Sequence, residues 1–173
     1  MRFNSAASLV VSVILLLATD ASGQDLVLPA VQSLQGHSAV YVDLMWYDRA
    51  PPGRFDDLRE DAEAQLRSHG IEILDNVEWY RTVGMPTLKI EMIVTQVGQQ
   101  EGAQAWTMAV IVGFWQDVET LSGVSVKRAL TWQGGGYLAP FACTPDTCDK
   151  IALALIELQL DEFANDLRVA NGS

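Results

Sequence analysis

Three long runs of alternating residues follow one another in this chain and constrain its fold more than any other feature. Over residues 87–97, Leu88, Ile90, Met92 and Val94 alternate with Lys89, Glu91 and Thr95. Over 105–117, Trp106, Met108, Val110, Val112 and Phe114 share one parity. Over 124–133, Val126, Arg128, Leu130 and Trp132 alternate with Lys127, Ala129 and Thr131. A period of two sends successive side chains to opposite faces of a sheet, so the runs predict an antiparallel meander. Residues 98–102 form the polar hairpin link between the first two.

A further alternating stretch, 39–47, places Val40, Val42, Leu44 and Trp46 against Tyr41, Asp43, Met45 and Tyr47, and Pro51-Pro52-Gly53 ends it in a turn. Residues 55–69 read as a helix. Phe55, Leu58, Ala62 and Leu66 recur at helical spacing, Asp57, Glu60, Asp61 and Glu63 load the early turns, and Gly70 is the stop. Residues 71–74 return in extended form, and Asp75 with Glu78 reads as a capping box opening a short turn that carries Trp79 and Tyr80. A last helix over 149–170 carries Ile156, Leu160, Phe163 and Leu167 as one stripe. Its start, residues 151–156, is apolar all round, which calls for deep burial or a second subunit. The predicted order is β-α-β-β-β-α. It makes a two-layer α+β sandwich, with a mixed four-stranded sheet and two helices on one face.

The amino terminus reads as an address. Arg2, the apolar run from Leu9 to Ala18 and the small residues Ala21-Ser22-Gly23 have the layout of a cleaved signal peptide over residues 1–23. The run is shorter than the ~20 residues that span a bilayer core. No cysteine lies at 19–24 to take a lipid, so a stable membrane anchor is not expected. Residues 24–36 read as a flexible lead-in and 37–173 as a single domain, periplasmic or secreted. In that compartment the two cysteines, Cys143 and Cys148, are expected to form a disulfide closing a short loop, a local clamp worth on the order of 2 kcal/mol.

Charge narrows the partners. A net charge of −11 with no basic stripe argues against nucleic acid and against docking on anionic lipid. The acidic cluster around Asp57 and Glu60 lacks the ligand spacing of a calcium loop and is interleaved with Arg54, Arg59 and Arg67, so no metal is expected. His37 precedes the first strand and His69 ends the acidic helix. Neither sits in a catalytic motif, and no catalytic residue is assigned. Gly134-Gly135-Gly136 lacks the Lys and Ser/Thr of a phosphate loop. It reads as backbone where another segment approaches closely, and no cofactor is expected.

The sheet face turned away from the helices is the candidate site. It carries Tyr41, Met45, Tyr47, Ile93, Ala109, Ile111 and Trp115, more apolar surface than a solvated face usually shows. The competing expectation is that the lead-in, with Leu26, Val27, Leu28, Val31 and Leu34, folds over it.

Leu66, Gly70, Ile71, Ile73, Glu78 and Trp79, set between the first strand and the meander, resemble the pattern of small exported bacterial domains of the TolB amino-terminal and CsgG/LpoB-like type. The resemblance spans residues 39–132 and implies an envelope assembly or accessory module that binds protein and carries no catalysis. It transfers no functional residue. The expected function is therefore a non-enzymatic module with a protein partner or a homo-oligomeric state. The alternative is a carrier of a small apolar ligand, which would show an enclosed cavity on that face.

Overall fold

The computed structural model describes residues 30–47, 56–100, 103–120, 122–135, 137–141 and 145–172. The expected signal peptide and the start of the lead-in lie outside them.

In chain order a 3-10 turn (Ala30–Leu34) is followed by β1 (Ala39–Tyr47), α1 (Asp56–Ser68), β2 (Glu72–Ile73), α2 (Asn76–Arg81), β3 (Thr87–Gln100), β4 (Ala103–Glu119), β5 (Ser125–Gln133), β6 (Tyr137–Phe141) and α3 (Pro145–Asn171). Five strands run in the order β2-β1-β3-β4-β5, and β6 pairs with β4. β1 is parallel to β2 and to β3, while β3-β4-β5 form the antiparallel meander. The α+β sandwich and its mixed sheet are thus present, with α1 and α3 on one face.

The core lies between that face and the helices. Val40, Val42, Leu88, Ile90, Met92, Val94, Met108, Val110, Val112 and Phe114 point into it. They meet Leu58, Ala62 and Leu66 of α1 and Ile156, Leu160, Phe163 and Leu167 of α3. These are the stripes that the periodicities predict. At the start of α3, Ala152 and Ile156 are buried, Ile151, Leu153 and Leu155 are half-buried against the core, and Ala154 is exposed.

The sheet is wider than the four strands expected. The extended return contributes β2 at one edge, and β6 lies beside β4, end to end with β5. Pro140 disguises β6, because proline lacks a ladder donor; an outer strand tolerates it. The polar link is also shorter than expected. The β3-β4 ladder absorbs a bulge between Gln96 and Gly98 and runs on to Gln100 opposite Ala103. α3 starts at Pro145 and not at 149, with proline in the first turn, where its missing N–H is harmless.

β5 departs most from its pattern. Two irregularities interrupt its pairing with β4, and Arg128 sits at φ 53. The alternation therefore does not hold one face: Trp132 is buried, while Val126, Arg128 and Leu130 are exposed.

β5 and β6 leave a gap along β4, and α3 closes it. The buried amide of Gln159 accepts from Val112 N (3.0 Å) and donates to Val110 O (3.0 Å), standing in for a strand residue. Gly134 N donates to Val112 O beside it. A Cβ on Gly134 would lie 3.1 Å from the Trp132 ring and 3.3 Å from Gln159 Oε1, so this is the close approach expected of the glycine run.

Candidate functional site

The strand register places the expected site residues in rows across the face opposite the helices. Tyr41, Thr87 and Trp115 form one row, then Asp43, Lys89 and Gly113, then Met45, Glu91 and Ile111, then Tyr47, Ile93 and Ala109. All six residues expected there, Tyr41, Met45, Tyr47, Ile93, Ile111 and Trp115, are brought together. Three of them stay open to solvent: Met45 is 37%, Tyr47 42% and Ile93 41% exposed. Exposure on this scale along one side of a sheet is what a solvated face normally avoids.

The face is apolar at its flanks and charged along β3. Lys89 Nζ donates to Glu91 Oε1 at 2.7 Å, and Tyr47 Oη donates to the same oxygen at 2.8 Å. The hydrogen bond to Glu91 raises the Lys89 pKa against partial burial. Burial pushes the Glu91 carboxyl up, but the bonds from Lys89 and Tyr47 outweigh it and leave its pKa lowered. Lys89 also lies 5.8 Å from the centre of the Trp115 ring. At the row's other end Tyr41 is sandwiched. Trp79 of α2 stacks on it at 5.2 Å, and the Arg59 guanidinium sits over it at 5.4 Å. The reciprocal capping box of Asp75 and Glu78 sets α2 in place, and Trp79 Nε1 donates to Thr87 Oγ1.

A groove of about 330 Å³ opens in this face, lined by Asp43, Met45, Thr87, Lys89, Trp115 and Arg128. Its depth comes from Gly113. A Cβ there would lie 2.8 Å from Leu130 Cδ1 and 3.2 Å from Trp115 Nε1, so the bare backbone lets both side chains lie low over β4. The β5 bulge supplies Leu130, 44% exposed and opposite Trp115, and brings in Arg128. Asp117 fixes the bulge: its Oδ1 accepts the Arg128 N–H at 2.9 Å, and its Oδ2 accepts from Lys127 Nζ at 2.7 Å. The bond from Lys127, then that from the Arg128 amide, lowers the Asp117 pKa.

Sequence reasoning missed Leu130 and Arg128, which strict alternation assigns to the side of Trp132. It also named only the apolar members of the groove. Asp43, Thr87 and Lys89 share their parity, and that signal was available.

The described part of the lead-in does not lie on this face. Leu34 is fully buried in the helix-side core, and the turn is tied there by Gln116, whose amide donates to Ser33 O and Thr131 Oγ1.

Both histidines line a different cleft, of about 340 Å³, with Ser38, Arg168 and Asn171. His37 Nε2 donates to Gln116 Oε1 at 2.6 Å, with its ring edge-on to Phe114. His69 Nε2 donates to Asp161 Oδ1 at 2.8 Å, and Gln65 donates to the same oxygen, tying α1 to α3. The His69 bond, then that from Gln65, lowers the Asp161 pKa. Among the described residues no hydrogen bond joins Ser38 to either ring. These contacts tie the loop before β1 to β4 and the end of α1 to the middle of α3.

Cys148 is fully buried in the first turn of α3 and is not a free thiol. Cys143 lies outside the described residues, and with it the bridge expected between the two. Among the described residues no three His, Cys, Asp or Glu side chains come together as a metal cluster, and no helix is long and apolar enough to cross a membrane.

No family model and no curated protein matches the chain. Solved structures give distant likenesses. A minor lipoprotein from Acinetobacter baumannii shares 14% identity over 79% of this chain and 92% of that one, at a TM-score of 0.34. The PelC dodecamer from Paraburkholderia phytofirmans does so in two crystal forms. One gives 16% identity over 73% of this chain and 86% of that one, the other 17% over 72% and 86%, each at a TM-score of 0.43. At these scores no role or assembly transfers, and the function is argued from this chain's own residues.

Proposed function

We propose that this chain is a non-enzymatic accessory module of the bacterial envelope, exported to the periplasm or secreted, that binds protein through the open face of its sheet. The observation that carries the reading is the concentration of Met45, Tyr47, Ile93 and Leu130, each 37–44% exposed, on one flat side. Met45, Tyr47 and Ile93 occupy adjacent rows at one end and Leu130 stands beside Trp115 at the other; apolar exposure on one sheet face marks interaction surfaces. The groove within it is open and holds Asp43, Lys89 and Arg128, whereas a carrier of an apolar molecule needs an enclosed apolar cavity. Arg2, the apolar run from Leu9 to Ala18 and Ala21-Ser22-Gly23, which together resemble a leader, support export.

The test is site-specific photocrosslinking in the envelope of the native host, with the photoreactive group at Ile93 and a control at Val83, which is 92% exposed and off the face. A protein adduct from position 93 and none from position 83 is the expected result. Recovery of a small apolar molecule with the purified protein, and no protein adduct at 93, overturns the reading.

A further inference from the structure

The carboxyl end of α3 carries the only Asn-Gly step in the chain, Asn171-Gly172. An asparagine followed by glycine is chemically labile, because no Cβ shields the backbone nitrogen that can attack its side-chain amide. Asn171 is exposed, and Gly172 leaves the helix at φ 70. The Asn171 amide is nevertheless held at both ends. Its Oδ1 accepts from Gly36 N at 2.8 Å, while Nδ2 donates to His37 O at 3.1 Å and to Leu167 O at 2.8 Å. One side chain thus clasps the end of α3 to the stretch that leads into β1.

We propose that Asn171-Gly172 is a deamidation site gated by this clasp, and that the modification then holds the clasp open. In the first step the Gly172 nitrogen loses its proton to base in the solvent and bonds to Asn171 Cγ. The Cγ–Nδ2 bond breaks, and Nδ2 leaves as ammonia with a proton returned from the solvent. Water then adds to either carbonyl of the resulting succinimide and opens the ring, giving Asp or isoaspartate at position 171. No oxidant or reductant takes part.

The docked state opposes ring closure twice. Gly172 N donates to Val169 O at 3.3 Å, and the amide that must turn toward that nitrogen is tied to Gly36, His37 and Leu167. Undocking of Gly36 and His37 leaves only the bond to Leu167. The product does not redock in the same way. A carboxylate oxygen in place of Nδ2 faces the His37 and Leu167 carbonyls with nothing to donate. Its charge also sits at a helix carboxyl end, where the macrodipole disfavours anions. Isoaspartate further reroutes the main chain through the side chain. The pair is therefore a one-way latch on the stretch before β1, which forms one wall of the cleft shared by His37 and His69.

Peptide mapping by mass spectrometry on the purified, folded protein, aged in mildly alkaline buffer, tests the latch. The readout is isoaspartate at position 171, detected by enzymatic methylation. Gly36→Pro deletes the N–H that Asn171 accepts and cannot adopt the φ of 83 found there. It should accelerate modification roughly tenfold or more by raising the undocked population, and Gly172→Ala should suppress it. If Gly36→Pro does not fold, wild type held in urea supplies the undocked rate. Asn171→Asp, which mimics one product, should speed amide-hydrogen exchange at Gly36. Equal rates in docked and undocked chains overturn the gating. Absence of product at 171 in the urea-held chain overturns the site, and undiminished modification in Gly172→Ala overturns the succinimide route. Unchanged exchange at Gly36 in Asn171→Asp overturns the latch.

Discussion

Ile90 and Ile93 sit three residues apart on β3, and one is fully buried while the other is 41% exposed. The same contrast holds between the two faces they belong to. Under the helices the sheet is almost wholly aliphatic. Its polar intruders, Gln116 and Gln159, spend their amides on backbone and side-chain partners. On the open side apolar residues stand beside charges, with Lys89 paired to Glu91 and Lys127 to Asp117. A buried face must satisfy every polar group internally, whereas an exposed face can share its polar groups with water. Apolar content alone does not distinguish the faces; the state of their polar groups does.

The largest test of this contrast is a matched truncation. Ile90→Ala should lower unfolding free energy by about 2–5 kcal/mol, because it leaves a cavity in a sealed core. Ile93→Ala should change it by less than about 0.5 kcal/mol. Urea denaturation of both variants makes the measurement, and equal losses would show that the open face is in fact covered. Gln159→Leu comes next. It strands the Val112 N–H and the Val110 carbonyl inside the core and should cost about 1–3 kcal/mol, with faster amide exchange at Val112.

Smaller, and of opposite sign, is Arg128→Gly. Relief of the positive φ should raise the melting free energy by about 1 kcal/mol, while removing the guanidinium from the groove should weaken protein binding at the open face. A gain in stability together with a loss of binding would mark the residue as kept for the face and not for the fold. The smallest effect is spread over pH. Glu91, Asp117 and Asp161 all have lowered pKa values in the fold. Their stabilisation is complete above the ordinary carboxylate range near pH 4 and is lost as pH falls through it toward their folded values. Urea midpoints measured on descending pH should decline there, and Glu91→Gln should flatten part of the slope.

Much of this fold was legible because it follows from period. The meander, the stripes of α1 and α3, the capping box at Asp75 and the apolar second face all come from spacing that physics reads directly. What escaped depends on exceptions to period. Leu130 changed sides because the irregularity between Trp132 and Leu130 resets its parity. β6 was hidden by Pro140, and the extended return at 71–74 was not counted as a sheet strand because only two of its residues pair. Gln159 looked like an ordinary polar helix position, since nothing local reveals that its partner is a broken ladder far earlier in the chain. The positive φ of Arg128 was invisible for the same reason: Asp117, eleven residues upstream, creates it.

Gln159 also sets an order on chain maturation. The ladder of β4 is finished by a side chain 47 residues beyond Val112, within α3. Until α3 arrives, the centre of the sheet keeps an open donor and an open acceptor, and the aliphatic face beneath lacks its main cover. Contacts this distant in sequence form late. A chain built this way keeps its sheet incomplete until α3 docks, so the last contact to form is also the one that seals the core.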